Sequence, residues 1–218
     1  MARLYHSIEE LPRTIPVFPL SSVLLLPRGQ LPLNVFEPRY LAMVDTALAG
    51  PRLIGMIQPR DDTSATSLKP PLTQAGCAGK ITAFQETEDG RYLITLSGIC
   101  RFRVARELDA VTPYRQITAD YTPYANDLAV LNDPQLPRER LLTALKAYLT
   151  RRDLKADWDS AATAPPEALV NALAMLCPFE PAEKQALLEA PGWQERVDTL
   201  IALLELSGAE SAGGKSMN

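Results

Sequence analysis

The sequence predicts an α+β chain, a β-rich half followed by an α-helical half. Three observations carry this. From Ile15 to Val44, short apolar stretches are broken by Pro16, Pro19, Pro27, Pro32 and Pro38, and proline belongs at strand starts, edges and turns because it cannot donate to a sheet ladder. From Gly76 to Val104, apolar and polar residues alternate around an Asp-Gly turn, the signature of a half-buried hairpin. From about Asp127 onward, leucines recur at helical spacing instead.

The elements follow in order. Ile15–Phe18, Val23–Leu26 and Leu31–Val35 are expected as short strands. Glu37-Pro38 then opens a helix, because proline at the first helical position gives up only an amide that had no partner. Leu41, Val44 and Leu48 continue that helix and Gly50-Pro51 ends it. Arg52–Ile57 is a further strand. Residues 59–74 are polar and rich in Pro, Thr and Ser, and are expected as a long surface loop. Gly76–Phe84 and Tyr92–Leu96 flank the hairpin signal Glu88-Asp89-Gly90. Ile99–Val104 follows Gly98, with Cys100, Phe102 and Val104 on a buried face and Arg101 and Arg103 on a wet one. Tyr114–Tyr121 is the last strand.

In the second half, Leu141, Leu142, Leu145, Tyr148 and Leu149 form a helical stripe after Pro137. Residues 153–165 are polar and Ala-rich, a connector. Pro165-Pro166 starts a helix carrying Leu169, Leu173 and Leu176. Pro181 begins another over Glu183–Glu189, and Gly192-Trp193 leads into Val197, Leu200, Ile201 and Leu204, with Trp193 expected in the core. Helices with one apolar face must pack on one another. The division is therefore 1–125 for the β-rich subdomain, 126–207 for the helical one and 208–218 for a small, polar, disordered tail.

Composition narrows the classes. The 218 residues are 46% hydrophobic and 22% charged, ordinary for a globular protein, and a chain of this size buries roughly 70% of its unfolded surface without needing a disulfide or metal. The net charge of −4 gives no push toward nucleic acid or anionic membrane. No apolar run reaches the length of a membrane span, and Met1–His6 lacks the pattern of a signal peptide. Cys77, Cys100 and Cys177 are odd in number with no short spacing, as in reduced thiols of a cytoplasmic protein.

Ile15-Pro16-Val17-Phe18-Pro19-Leu20, then Leu24-Leu25-Leu26-Pro27, then Leu31-Pro32-Leu33, then a helix, resembles the start of the Lon protease N-terminal domain, the substrate-recognition module of that ATP-dependent protease. Phe36-Glu37-Pro38-Arg39-Tyr40 resembles the form found in free-standing bacterial Lon-domain proteins and in cereblon-like proteins. The glycine-led strand at Gly76, the Asp89-Gly90 turn, Gly98-Ile99-Cys100-Arg101-Phe102-Arg103-Val104, Glu183–Glu189 and Glu195-Arg196-Val197 follow the family's order. The resemblance covers about Arg13 to Leu206. It implies a PUA-like β pseudo-barrel followed by an α-helical bundle. It also implies a non-catalytic module that binds client polypeptides or docks on a protease or chaperone, as a monomer or weak homodimer. Full-length Lon proteases carry their ATPase and Ser/Lys peptidase modules after this domain, and the chain is expected to hold neither.

The residues themselves offer little catalytic chemistry. Ala209–Ser216 fits a loose P-loop pattern, but that mechanism needs a strand before it and a helix after it, and only Met217 and Asn218 follow. His6 is the single histidine and has no catalytic partner nearby in sequence. No G-x-S-x-G occurs, and the cysteines lack zinc spacing. No catalytic, cofactor-binding or metal-binding residue is therefore assigned, and no cofactor is expected. Asp61-Asp62 and Glu88-Asp89 read as solvated turn residues. Two features remain. Phe36, Tyr40 and Trp158 are candidate anchors for a peptide or partner, or caps between the two halves. Arg101 and Arg103, with Arg106, could form an RNA-binding face on a PUA-like barrel, or a solvated face paired with the many acids.

Overall fold

A computed structural model describes residues 5–60, 69–132 and 134–206. The expected disordered tail at 208–218, its P-loop-like pattern and residues 61–68 of the expected loop at 59–74 lie outside the described residues. In chain order the strands are β1 (Thr14–Pro19), β2 (Gln30–Val35), β3 (Leu53–Pro59), β4 (Leu72–Glu86), β5 (Tyr92–Leu108) and β6 (Arg115–Asp120). The helices are α1 (Pro38–Ala49), α2 (Arg138–Arg151), α3 (Trp158–Thr163), α4 (Pro166–Leu176), α5 (Pro181–Glu189) and α6 (Trp193–Leu206), with 3-10 turns at Ile8–Glu10 and Thr122–Leu128. Two compact units result. One joins residues up to Val130 with Pro178–Leu188, and the other joins Leu131–Cys177 with the residues from Glu189. The helix α5 thus belongs mostly with the strands, and the sequence division at 125/126 does not follow the contacts.

The first unit is a mixed sheet in the order β2-β5-β4-β3-β1-β6. Only β1 and β3 run parallel. Because β6 pairs with both β1 and β5, the sheet closes into a ring, the pseudo-barrel expected. Closure depends on β5 being used twice. Its first half, Tyr92–Ser97, lies between β2 and β4; its second half, Arg103–Leu108, pairs with β6. The two short strands expected here are one long strand. Between the halves, Gly98 and Cys100 pair with Gly79 and Ala78 of β4 across a register shift. A Cβ on Gly98 would sit 2.0 Å from the Leu26 carbonyl oxygen, so only glycine lets the two backbones approach.

The ring's interior is filled by Leu11, Ile15, Val17, Ile57, Phe102 and Ile117, with further apolar neighbours. Phe102 meets Tyr121 edge-on, with centroids 6.4 Å apart, and lies against Gly76, where any Cβ would come within 2.5 Å of its ring. The expected strand at Val23–Leu26 is absent. Leu24, Leu25 and Leu26 are all buried, but none of them pairs in the sheet. Positive φ at Ser22 and Arg28 turns the chain out of the ladder on either side.

In the second unit, α2 and α6 pack through the stripes expected. Leu141, Leu145 and Tyr148 face inward, as do Val197, Leu200 and Leu204. Arg151 donates to the Leu204 carbonyl and Arg140 pairs with Glu205. The connector at 153–165 contains α3, a helix the composition did not announce. Asp157 caps its start by accepting from the Ser160 amide, and Arg138 donates to the carbonyls of Ala161 and Ala164 at its end. Those two side chains satisfy orphan groups that a helix this short cannot satisfy itself. Trp193 is half-buried, not core, and its indole donates to the Gln135 carbonyl.

Candidate functional site

Where β5 leaves the ring, β2, the first half of β5 and the end of β4 form a three-stranded antiparallel flap. One face carries Leu31, Leu33 and Val35 in register with Leu96, Ile94 and Tyr92, and Ile94, Leu96 and Val35 are buried. The other face is open. Asn34, Leu93 and Gln85 form one row across it, and Pro32, Thr95 and Ala83 the next. These six residues line a shallow groove together with Leu33, Phe84 and Ile94. None of the nine is ionisable, in a chain that is 22% charged. Leu93 is 41% exposed, and Phe84, edge-on to Tyr92 at 5.0 Å, is exposed to a similar degree.

The flap's rim is an edge strand, since among the described residues β2 pairs only with β5. The Gly98 amide donates to the Gly29 carbonyl. Alternation then turns the main-chain groups of Leu31, Leu33 and Val35 toward β5 and those of Gln30, Pro32 and Asn34 outward. The middle outward position is the one residue without an N–H. Pro32 thus blunts the edge against strand addition and leaves the face as the accessible surface.

The residues expected to bind are scattered. Phe36, just beyond β2, is 62% exposed, with the Arg91 guanidinium 6.0 Å from its ring centroid. Tyr40 is only 7% exposed. Its ring lies 4.1 Å from that of Phe18, and burial raises its pKa. Trp158, the first residue of α3, is 40% exposed and belongs to the second unit. Arg103 is exposed, but Arg101 is 3% exposed and is not on a wet face. Arg101 Nε and Nη2 donate to the two Asp127 carboxylate oxygens, each at 2.8 Å, and Nη1 donates to the Leu188 carbonyl at 2.8 Å. Burial works to lower its pKa, but the Asp127 hydrogen bonds and charge together raise it. The strand alternation was right, but this side of β5 is covered by the 122–128 turn and α5. An RNA face therefore loses this arginine.

Burial pushes the Cys100 thiol up to about 12, and Cys77 and Cys177 are also buried. Among the described residues no group of three or more His, Cys, Asp or Glu could hold a metal ion, and no helix is long and apolar enough to cross a membrane.

Residues 14–205 match the family described as the ATP-dependent protease La (LON) substrate-binding domain. The chain belongs to the Lon substrate-binding domain family. Its similarity to whole Lon proteases is modest. The Lon protease of Anaeromyxobacter dehalogenans is 25% identical over 90% of this chain and 23% of its own length. That of Parabacteroides distasonis is 26% identical over 91% and 24%, and that of Desulfosudis oleivorans is 28% identical over 44% and 12%. The chain thus spans less than a quarter of these relatives. Among solved structures, the N-terminal domain of the Mycobacterium avium complex Lon protease has a TM-score of 0.60 at 17% identity, covering 88% of this chain and 97% of that one. A Lon N-terminal domain protein from Xanthomonas campestris has a TM-score of 0.57 at 25% identity, covering 87% and 97%.

Against that Lon-domain background, sequence reasoning missed the flap's open face. A signal existed. Leu93 and Ile94 are adjacent apolar residues on one strand, and adjacent strand residues point to opposite faces. If Ile94 is inside, Leu93 is outside.

Proposed function

We propose that this chain is a non-catalytic recognition module that holds non-native client polypeptides on the open face of the β2–β5–β4 flap. The observation that carries the reading is the charge-free groove around Leu93, in a chain of the Lon substrate-binding family. A groove lined without ionisable side chains lets an apolar segment approach Leu93 without stripping water from a charge. Phe36 lies just past the end of β2 and extends the apolar surface. Trp158, in the second unit, offers an exposed apolar contact of its own, and Tyr40 supports the start of α1 instead of touching a ligand. Docking on a protease or chaperone partner would use the same surface.

The test is fluorescence anisotropy with a reduced, carboxymethylated unfolded protein, comparing the natural chain with Leu93→Glu. Burying one leucine against a client is worth about 1.5–3 kcal/mol, so binding should weaken by at least about tenfold while the urea midpoint stays within error. Equal binding by both proteins, or none by either, would overturn the proposal.

A further inference from the structure

Arg39, Arg91, Arg101, Arg115 and Arg140 each hold a carboxylate. Arg13, Arg103 and Arg106 do not. All three are exposed, and among the described residues none of their guanidiniums has a hydrogen bond or a salt bridge. They gather on the outer face of β6. Ile117 and Ala119 are buried in the ring, so Thr118 and Asp120 point outward. Thr118 pairs with Thr14 on one side and Arg106 on the other, and Asp120 pairs with Arg103; residues in register share a face. Strict alternation would put Arg103 and Arg106 on opposite faces of β5. The register shift between Val104 and Arg106 makes Ala105 a bulge, and this extra residue turns both arginines outward. Arg13 lies across β6 from them, its carbonyl accepting from the Ala119 amide. Here the surface sinks into a cavity of about 470 Å³ whose lining includes Ile8, Arg13, Ala105, Thr118 and Asp120, within the size range of ligand sites.

Charge and pairing select the occupant. Because β6 pairs on both sides, it offers no free edge for an extended peptide to join. It offers instead three guanidiniums, whose planar fork matches phosphate. The acids of the cavity, Glu9 and Asp120, would repel a phosphate placed inside it. Asp120 Oδ1 accepts from the Thr122 amide at 3.0 Å, and Oδ2 has no partner among the described residues. A carboxylate oxygen accepts well from the exocyclic amino group of a base. We infer that this face binds single-stranded nucleic acid, one amino-bearing base entering the cavity against Asp120 and the flanking phosphates resting on Arg13, Arg103 and Arg106. The face is separate from the flap, and the inference stands apart from the client-binding proposal. The net charge of −4 keeps the attraction local to this patch and the affinity modest.

The experiment uses the full chain and dye-labelled oligocytidylate and oligouridylate RNA strands of about eight nucleotides, followed by anisotropy. With one phosphate on each arginine, log affinity should fall against log salt with a slope of about −2 between about 50 and 200 mM, and Arg103→Gln/Arg106→Gln should flatten the slope to about −0.7. Uracil carries a carbonyl where cytosine carries its amino group, so the natural chain should prefer oligocytidylate by about fivefold, the worth of one hydrogen bond. Asp120→Asn keeps the oxygen that accepts from Thr122 and removes the charge. It should lose that preference while binding oligouridylate more tightly than the natural chain does. The urea midpoint should not move in either variant, since all three side chains lie on the outer face. A salt slope unchanged by the double arginine variant, duplex RNA bound as tightly as the single strand, or no binding of either strand at low salt overturns the inference. Oligoglutamate bound as tightly as oligocytidylate overturns it in favour of an acidic polypeptide.

Discussion

Replacing Asp127 with Ala should cost about 3–5 kcal/mol of folding stability, the usual loss when one partner of a buried ion pair is removed. The geometry puts this pair at the demanding end. Asp127 accepts from Arg101 Nε, from Arg101 Nη2 and from the Arg101 backbone amide, at 2.8, 2.8 and 3.0 Å. Its removal strands a guanidinium that is 3% exposed. The Leu188 carbonyl at 2.8 Å and the Tyr124 ring with its centroid 4.4 Å away are neutral groups and do not replace the carboxylate charge. The double variant Arg101→Met/Asp127→Leu removes both charges and fills the space, so it should recover much of the loss. Urea denaturation followed by far-ultraviolet circular dichroism measures each variant, and the two single variants with the double one complete a cycle. A cost below about 1 kcal/mol for Asp127→Ala, the range of an exposed pair, would refute the reasoning. So would a double variant no more stable than the worse single one.

Gly98→Ala should destabilise by at least about 1–3 kcal/mol, the usual range for overpacking, because its Cβ would meet the backbone of Leu26 at 2.0 Å; the shift in urea midpoint reads it. The Arg115 hydrogen bond is the main reason the Glu107 carboxyl lies below its ordinary value. The stabilisation this group contributes is therefore complete above the unfolded value near 4.5 and is lost as pH falls through the folded value. The stability gap between the natural chain and Glu107→Gln should shrink on acidification below that point, and a gap that stays constant from pH 7 to pH 3 would contradict it. Pro32→Val restores an outward amide to the β2 edge, and concentration-dependent association should rise in light scattering. Cys100, with its thiol raised to about 12, should resist a thiol reagent at pH 8 until urea unfolds the chain; native-state labelling at that position would show that the interior of the ring opens.

Much of the ring was legible because its strands obey simple periodicities. Ile15, Val17, Cys100 and Phe102 are where alternation puts them, and Pro38 begins α1 as its chemistry demands. What failed depended on which surfaces become covered by distant chain. Arg101 looked wet because nothing local announces that Asp127 and Leu188 will close over it. Leu24–Leu26 looked like a strand because an apolar triplet does not reveal that it lies between two positive-φ residues. Trp158 appeared to lie in a connector because α3 needs Arg138, twenty residues upstream, to satisfy its end. The open flap face escaped notice because a groove built from one leucine, a proline and amides has no motif.

The return of residues 178–188 to the strand unit has a consequence during synthesis. Gln58 donates to the Pro181 carbonyl and to Gln185, and Gln185 donates to the Ala75 carbonyl, so polar groups of the sheet wait for a segment made long after it. At ~5–20 residues per second the ribosome needs roughly 3–12 s to go from Val130 to Leu188. Throughout that interval Arg101 lacks its Leu188 acceptor and the strands exist without their final helix. A nascent chain paused there would present an incomplete β unit, a form that a chaperone or a degrading protease meets before the finished fold exists.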